Sequence, residues 1–318
     1  MTHIIQLNDI KALLSSVDVI SDMADGFIAY SKGETVVPPV GELHFDAPKG
    51  DVHLKYGYIK NDDFYVVKIA SGFHNNLKLG VSPSQGLMLV FSQKTGKPEA
   101  VLLDEGHLTD IRTAAAGALV ARHFAPKKVK AIGIIGNGIQ AKLQLEYLKQ
   151  VTLCRTVWVW GRDANHVSKF KNEIHHDFEV NIATTPNELA KHCNLIITTT
   201  PSEKALLKVG DVQPGTHITA VGSDTANKQE LESELLNKAD IVIADSIPQS
   251  KHRGEIFRAV NDGCLSENKV IELGNALENI ELHRQSDNQI SIADLTGVAV
   301  QDIKIASAIY RNYKYKLS

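Results

Sequence analysis

Three rhythms of hydrophobic and polar positions follow one another along the chain. Within residues 1–30, Ile10, Leu13, Leu14, Val17, Val19 and Ile20 recur at helical spacing after Asn8-Asp9 and predict one or two short amphipathic helices. From Val36 to Val101 the pattern breaks into short β-branched and aromatic runs between turn residues. Residues 52–58, 64–69, 86–91 and 99–103 read as strands of an antiparallel sheet, with 94–98 as a turn. Residues 109–124 are alanine-rich and helical, with Thr109 as the expected cap and Pro126 as the stop.

Beyond Pro126 the texture changes again. An apolar run at 129–135 leads into Gly136-Asn137-Gly138 and a helical stretch to Gln150. Short β runs at 156–160, 180–183, 195–200, 218–221 and 241–244 then alternate with helical or polar stretches. Buried strands alternating with helices predict an α/β fold: a Rossmann-type doubly wound parallel sheet with helices on both faces. After Asp294, apolar residues Val298, Val300, Ile303, Ile305, Ala306 and Ile309 predict a C-terminal helix that returns to the first domain. The expected organisation is an N-terminal α+β domain over 1–118, completed by 296–318, and a parallel-sheet domain over 119–295. No internal repeat, low-complexity segment or flexible linker interrupts it.

Composition narrows the function. The 318 residues carry a net charge of −3 with 22 % charged side chains, which lacks the electrostatic footprint of a nucleic-acid binder. No apolar run approaches the roughly 18–20 residues of a membrane span, and the N-terminus has no secretory signature. Cys154, Cys193 and Cys264 suit neither a disulfide framework nor a zinc site. The expectation is a cytoplasmic protein without nucleic-acid or membrane partners and without a metal.

The clearest motif is Gly136-Asn137-Gly138-Ile139-Gln140-Ala141, a G-x-G-x-x-A between a buried strand and a helix. Gly136 permits the tight turn, Gly138 lets backbone approach a pyrophosphate, and Ala141 keeps helix close to strand. The second strand ends in Gly161-Arg162-Asp163. An NAD enzyme usually places an acid at this tip for the ribose hydroxyls, whereas Arg162 suits a 2′-phosphate. NADPH is therefore favoured over NADH as the expected cofactor.

Several segments together resemble the ornithine cyclodeaminase/mu-crystallin family. They are Leu108-Thr109-Asp110-Ile111-Arg112-Thr113-Ala114-Ala115-Ala116, the Gly136 motif, Ala220-Val221-Gly222-Ser223-Asp224, Lys228-Gln229-Glu230-Leu231, Gly254-Glu255-Ile256 and Arg284-Gln285-Ser286-Asp287. The resemblance covers almost the whole chain. It implies a homodimer with an N-terminal substrate and dimerisation domain ahead of a dinucleotide-binding domain. It also implies hydride transfer between a nicotinamide and the α-carbon of an amino or imino acid.

The resemblance further assigns residues. Lys68, which interrupts an apolar strand, and Asp224, at the end of a parallel strand, match catalytic positions. Arg112, whose fork suits a carboxylate or cofactor phosphates, and Thr296 match substrate-pocket positions. Thr113, Gly136, Asn137, Gly138, Ile139, Gln140, Arg162, Thr199, Val221, Gly222 and Lys228 are the expected cofactor contacts. A simple helix cap is the competing role for Asp224. His44, His53 and His74 lack metal-ligand spacing and read as exposed or hydrogen-bonded histidines.

Two departures bear on substrate. Ornithine cyclodeaminases carry an arginine where this chain has Val40, after Pro38-Pro39, and a glutamate where it has Lys55. An ammonium facing the ornithine ammonium costs of order 1–4 kcal/mol at about 4 Å. Lys55 instead joins Lys68 and Arg112 as a carboxylate cation, in a pocket expected to hold no matching acid. The reading is NAD(P)H-dependent reduction of a cyclic imino acid, Δ1-pyrroline-2-carboxylate to L-proline, with the piperideine homologue as a further substrate. Ornithine cyclodeaminase is the alternative; alanine dehydrogenase and a non-catalytic binding protein rank below it.

Overall fold

The computed structural model describes residues 1–317; the side chains of His74 and Leu77 lie outside the described set, so the reading of His74 does too. By its internal contacts the chain divides into two compact units, Met1–Arg112 with Val298 onward, and Thr113–Gly297.

The first unit opens with β1 (His3–Gln6), α1 (Leu7–Leu14) and α2 (Val19–Ser31). Helices alone are expected at this end, but β1 is a strand that pairs parallel with β7 below, from His3↔Ala100 to Gln6↔Leu103. Four residues with a single buried position, Ile5, are too few for a periodicity to register. Asp18 caps α2 by accepting from the Ser21 amide at 3.1 Å. Then come β2 (Thr35–Val36), β3 (Gly41–Phe45), β4 (Gly50–Ile59), β5 (Phe64–Gly72), β6 (Ser84–Ser92) and β7 (Pro98–Leu103). The sheet order is β1-β7-β6-β5-β4-β2, with β3 also on β4, and β1 aside its pairs are antiparallel.

Helix α3 (His107–Phe124) begins before Thr109, which therefore lies inside it and not at its cap position. Its first turn is held instead by Asp104, whose Oδ2 accepts from the Leu108 amide at 2.9 Å. The last residues of the first unit form α10 (Ala299–Leu317), numbered after the elements of the second unit; α10 packs on α2, β4 and β5. Ile5, Ile10, Met23, Phe27, Val66, Met88, Ile303 and Ile309 are all buried in this unit.

The second unit runs β8 (Ile132–Ile135), α4 (Ile139–Leu148), β9 (Thr156–Trp160), α5 (Ala164–Ile174), β10 (Glu179–Ile182), α6 (Pro186–His192), β11 (Leu195–Thr198), β12 (Glu203–Leu207), β13 (His217–Ala220), β14 (Gln229–Leu231), α7 (Ser233–Lys238), β15 (Ile241–Ala244), α8 (Gly254–Asn261), β16 (Val270–Glu272), α9 (Leu273–Glu278) and β17 (Ser291–Asp294). Eight of these strands form one parallel sheet in the order β10-β9-β8-β11-β13-β17-β15-β16. The strand order reverses between β8 and β11, which is where open α/β sheets bind ligands. Ile135, Ile196, Leu189, Ile218, Val242 and Ile292 belong to its core.

Strand β17 has no counterpart among the expected runs, although it is fully buried between β13 and β15. Its polar ends explain why. The Ser291 hydroxyl lies 2.9 Å from the Phe124 carbonyl, 2.9 Å from His217 Nδ1 and 2.8 Å from Arg284. Internal hydrogen bonding replaces the apolar run that normally marks a central strand.

Candidate active site

In the first unit the period-two alternation of β4 and β5 sends two lysines to one face. Lys55 and Lys68 are directly opposite in register and only 8 % and 2 % exposed. Like charges so placed destabilise a strand pair unless a counter-charge meets them. Asp302 of α10 supplies it. Lys68 Nζ lies 3.0 Å from Asp302 Oδ1 and 2.9 Å from Oδ2, and Arg112 Nε lies 3.1 Å from Oδ1. Gln301 extends the network: its Oε1 accepts from Arg112 at 3.2 Å and its Nε2 donates to the Arg112 carbonyl at 3.3 Å.

This corrects the expectation that the cations have no matching acid. Sequence reasoning missed Asp302, yet a signal exists. Val298, Asp302, Ile305 and Ile309 share one helical stripe, so the aspartate falls on the buried face of an apolar helix. Burial lowers the Lys68 pKa to about 8, with the Arg112 charge acting in the same direction and Asp302 opposing both. Burial alone would raise the Asp302 pKa; Lys68, Arg112 and Lys55 outweigh it and hold the carboxyl below its ordinary value. Asp104, whose pKa burial raises, also acts on Lys68. Lys55, Lys68 and Arg112 thus gather their charge around Asp302, with Asp104 acting on Lys68 as well.

In the second unit the first strand-to-helix turn has the shape of an anion cradle. Gly136 takes φ +117°, and a Cβ there would lie 2.4 Å from Thr199 Oγ1, so only glycine fits. Gly138, where an added Cβ would meet nothing within 4 Å, caps α4 and leaves room for a phosphate at the start of the helix. Ile139 is exposed beside it. These features fit a dinucleotide pyrophosphate.

At the tip of β9, Arg162 is exposed, and a Cβ at Gly161 would lie 2.9 Å from Val167 and 3.1 Å from Asn137. Asp163 caps α5, accepting from the Asn165 and His166 amides at 2.8 and 3.1 Å, and these bonds lower its pKa. At the tip of β13, Asp224 pairs with Lys228 at 2.6 Å. No helix follows Asp224, so its competing cap role is excluded; a turn leads into β14 instead. Val221 is buried, and Gly222 donates to Glu230 at 2.9 Å.

Thr296, Thr113 and Thr199 also make hydrogen bonds within their own unit. Thr296 is buried, donates to Asp245 at 2.9 Å and accepts from Gln249 at 2.8 Å. The Thr113 carbonyl accepts from Gln144 at 3.2 Å, and the Thr199 amide donates to Ile135 at 2.9 Å. A ring nitrogen of His53 lies 3.5 Å from Glu42 and the other 3.5 Å from Asp51, while His44 lies 3.6 Å from Glu42. Among the described residues no group of three histidine, cysteine or acidic side chains could hold a metal.

Residues 1–316 match the ornithine cyclodeaminase/mu-crystallin family. The chain belongs to this family. Among its relatives, an alanine dehydrogenase of Archaeoglobus fulgidus is 34 % identical over 312 residues, 98 % of this chain and 95 % of that one. A Δ1-pyrroline-2-carboxylate reductase of Bacillus thuringiensis subsp. konkukian is 27 % identical over 311 residues, 96 % and 95 % of the two chains. An archaeal alanine dehydrogenase dimer with bound NAD superposes with a TM-score of 0.91 at 31 % identity, covering 100 % of this chain and 97 % of that one. The family fold, with its Rossmann-type parallel sheet, is the fold observed here. Among the described residues no helix is long and apolar enough to cross a membrane.

Proposed function

We propose that this member of the family is a nicotinamide-dependent reductase of α-imino acids, with Δ1-pyrroline-2-carboxylate, reduced to L-proline, as its leading substrate. The carrying observation is the buried cluster of three cations, Lys55, Lys68 and Arg112, around Asp302, a positive group of the kind that receives a substrate carboxylate. Lys68 and Arg112 orient that carboxylate through charge-assisted hydrogen bonds. Lys55 adds attraction and repels a second ammonium. Asp302 already meets Lys68 and Arg112, and the cations gathered around it repel the side-chain ammonium of ornithine, which argues against the cyclodeaminase reading.

The Gly136–Gly138 turn and the start of α4 would hold the dinucleotide, and Arg162 would read a 2′-phosphate in favour of NADPH. When bound, the dinucleotide supplies the hydride. Asp224, assigned to the substrate nitrogen by the family motif, keeps the imine protonated, so that positive charge makes the α-carbon electrophilic. Lys228, 2.6 Å from Asp224, orients it.

A homodimer completes the reading. Leu43 and Phe45 on β3 with Tyr56 and Tyr58 on β4 are 53, 41, 42 and 36 % exposed, an apolar sheet face suited to a second copy. A second substrate reading, the imine of pyruvate with alanine as product, is favoured by the 34 % identity to an alanine dehydrogenase. It makes the same demand for one carboxylate.

Cofactor deuterated at the transferable position tests the reaction class. Deuterium should appear on the α-carbon of proline formed from the cyclic imine. Product without the label overturns hydride transfer to that carbon.

A further inference from the structure

Glu230 takes no part in the chemistry described above, yet it is completely buried and meets four donors. Its Oε1 accepts from the Thr200 amide at 2.5 Å and the Thr200 hydroxyl at 2.7 Å. Its Oε2 accepts from the Thr198 hydroxyl at 2.7 Å and the Gly222 amide at 2.9 Å. Thr198 and Thr200 flank Thr199, the residue against which the Gly136 turn packs. Gly222 stands two residues before Asp224. One carboxylate therefore ties the tip of β11 to the tip of β13.

The tips themselves are in close backbone contact. A Cβ at Gly222 would lie 2.2 Å from the Thr200 carbonyl oxygen and 2.7 Å from Glu230 Cδ. The backbone that carries this carboxylate is held in turn by its own neighbours. Glu255 Oε1 accepts from the Glu230 amide at 2.7 Å, and its Oε2 from the Leu231 amide at 3.1 Å. Asp294 anchors the start of α8 beneath it, accepting from the Ile256 amide at 2.9 Å.

We infer that Glu230 is a positioning residue, a clamp that fixes Thr199 against the glycine turn and Asp224 at the end of β13. The inference rests on the reductase reading for its effect on turnover, and on the hydrogen bonds alone for its effect on the two strand tips. Four donors match the acceptor sites of an ionised carboxylate. Glutamine has the same size, but its amide presents N–H groups to two of those donors and cannot close the clamp. Burial pushes the Glu230 carboxyl up to about 7 against the pull of its four donors. The groups that face it are Glu255 from α8 and Asp294 from β17, both with pKa values raised by burial first and by neighbouring acids second, Asp294 to about 8. As pH falls through 7, protonation of Glu230 costs the clamp an acceptor.

The test uses the full-length protein and Glu230→Gln, with a thermal melt to confirm folding. Amide hydrogen exchange at Thr200 and Gly222 should accelerate by about tenfold in the variant, whether or not the protein turns over any imine. Above pH 7 the variant should also bind NADPH about tenfold more weakly and lose about tenfold in kcat, and the deficit should shrink below pH 7. A folded variant with wild-type exchange at both amides, or a kinetic deficit constant across pH, overturns the clamp. If Glu230→Gln does not fold, Thr198→Val removes one donor and should still raise exchange at Thr200 by about threefold; no change there overturns it equally. Wild-type protein that neither binds NADPH nor reduces the imine defeats the reductase reading instead, and leaves the exchange result to judge Glu230.

Discussion

Lys68 and Asp302, 234 residues apart in sequence, form a buried ion pair with Nζ 2.9 Å from Oδ2. The aspartate is shared with Arg112, so two cations depend on one acid. Removing one partner of a buried ion pair typically costs about 3–5 kcal/mol, because the other charge stays buried and uncompensated. Asp302→Ala should therefore destabilise the protein by about that amount in denaturant unfolding. A loss below about 1 kcal/mol would show that the pair is solvated in solution.

The lowered Lys68 pKa sets a pH window for activity. The ammonium binds a carboxylate and the free amine does not, so kcat/KM should fall as pH rises through about 8. Stability moves the other way. The unfolded lysine stays protonated to about 10.5, so between 8 and 10.5 the unfolded chain binds more protons and folding becomes more favourable as pH rises. Lys68→Arg keeps the charge throughout and should abolish the alkaline fall in kcat/KM. A fall that persists in this variant belongs to another group.

Much of this was legible in the sequence, and the gaps have physical causes. The parallel sheet announced itself because four-residue strands such as Ile132–Ile135 and Ile241–Ala244 are buried on both faces and purely apolar. The glycine turn was legible because backbone geometry there tolerates no Cβ. β17 was hidden because Ser291 and Asp294 are polar and bond to partners distant in the chain. Asp302 was hidden for the same reason: its role depends on Lys68 and Arg112, which no local pattern connects to it. The cap of α3 was misplaced onto Thr109 because the acceptor, Asp104, belongs to the preceding loop.

Cofactor choice is open to a single substitution. Arg162 is exposed at the β9 tip, whereas Gly161 has no room for a side chain. Arg162→Asp should lower the NADPH to NADH ratio of kcat/KM by about tenfold or more, since it replaces a phosphate partner with a repelling charge. An unchanged ratio means that Arg162 is a solvated loop residue.

Asp224→Asn should cut kcat by about a hundredfold or more while cofactor affinity stays within about twofold, as expected for a proton relay. Activity that survives within a few-fold would assign the proton to a different group.

Lys55→Glu would place a carboxylate opposite Lys68 on the neighbouring strand, competing directly with the substrate for that cation. The KM for the cyclic imine should rise by about tenfold or more. An unchanged KM would mean that Lys55 lies outside the substrate's reach.

The most direct measurement offers the purified protein NADPH or NADH with Δ1-pyrroline-2-carboxylate, the same cofactors with pyruvate and ammonia, and NAD with L-ornithine, while nicotinamide absorbance and released ammonia are followed. The account expects rapid cofactor oxidation with the cyclic imine and no ammonia from ornithine. Ammonia released from ornithine without net change in the cofactor, and no oxidation with either imine source, would contradict it.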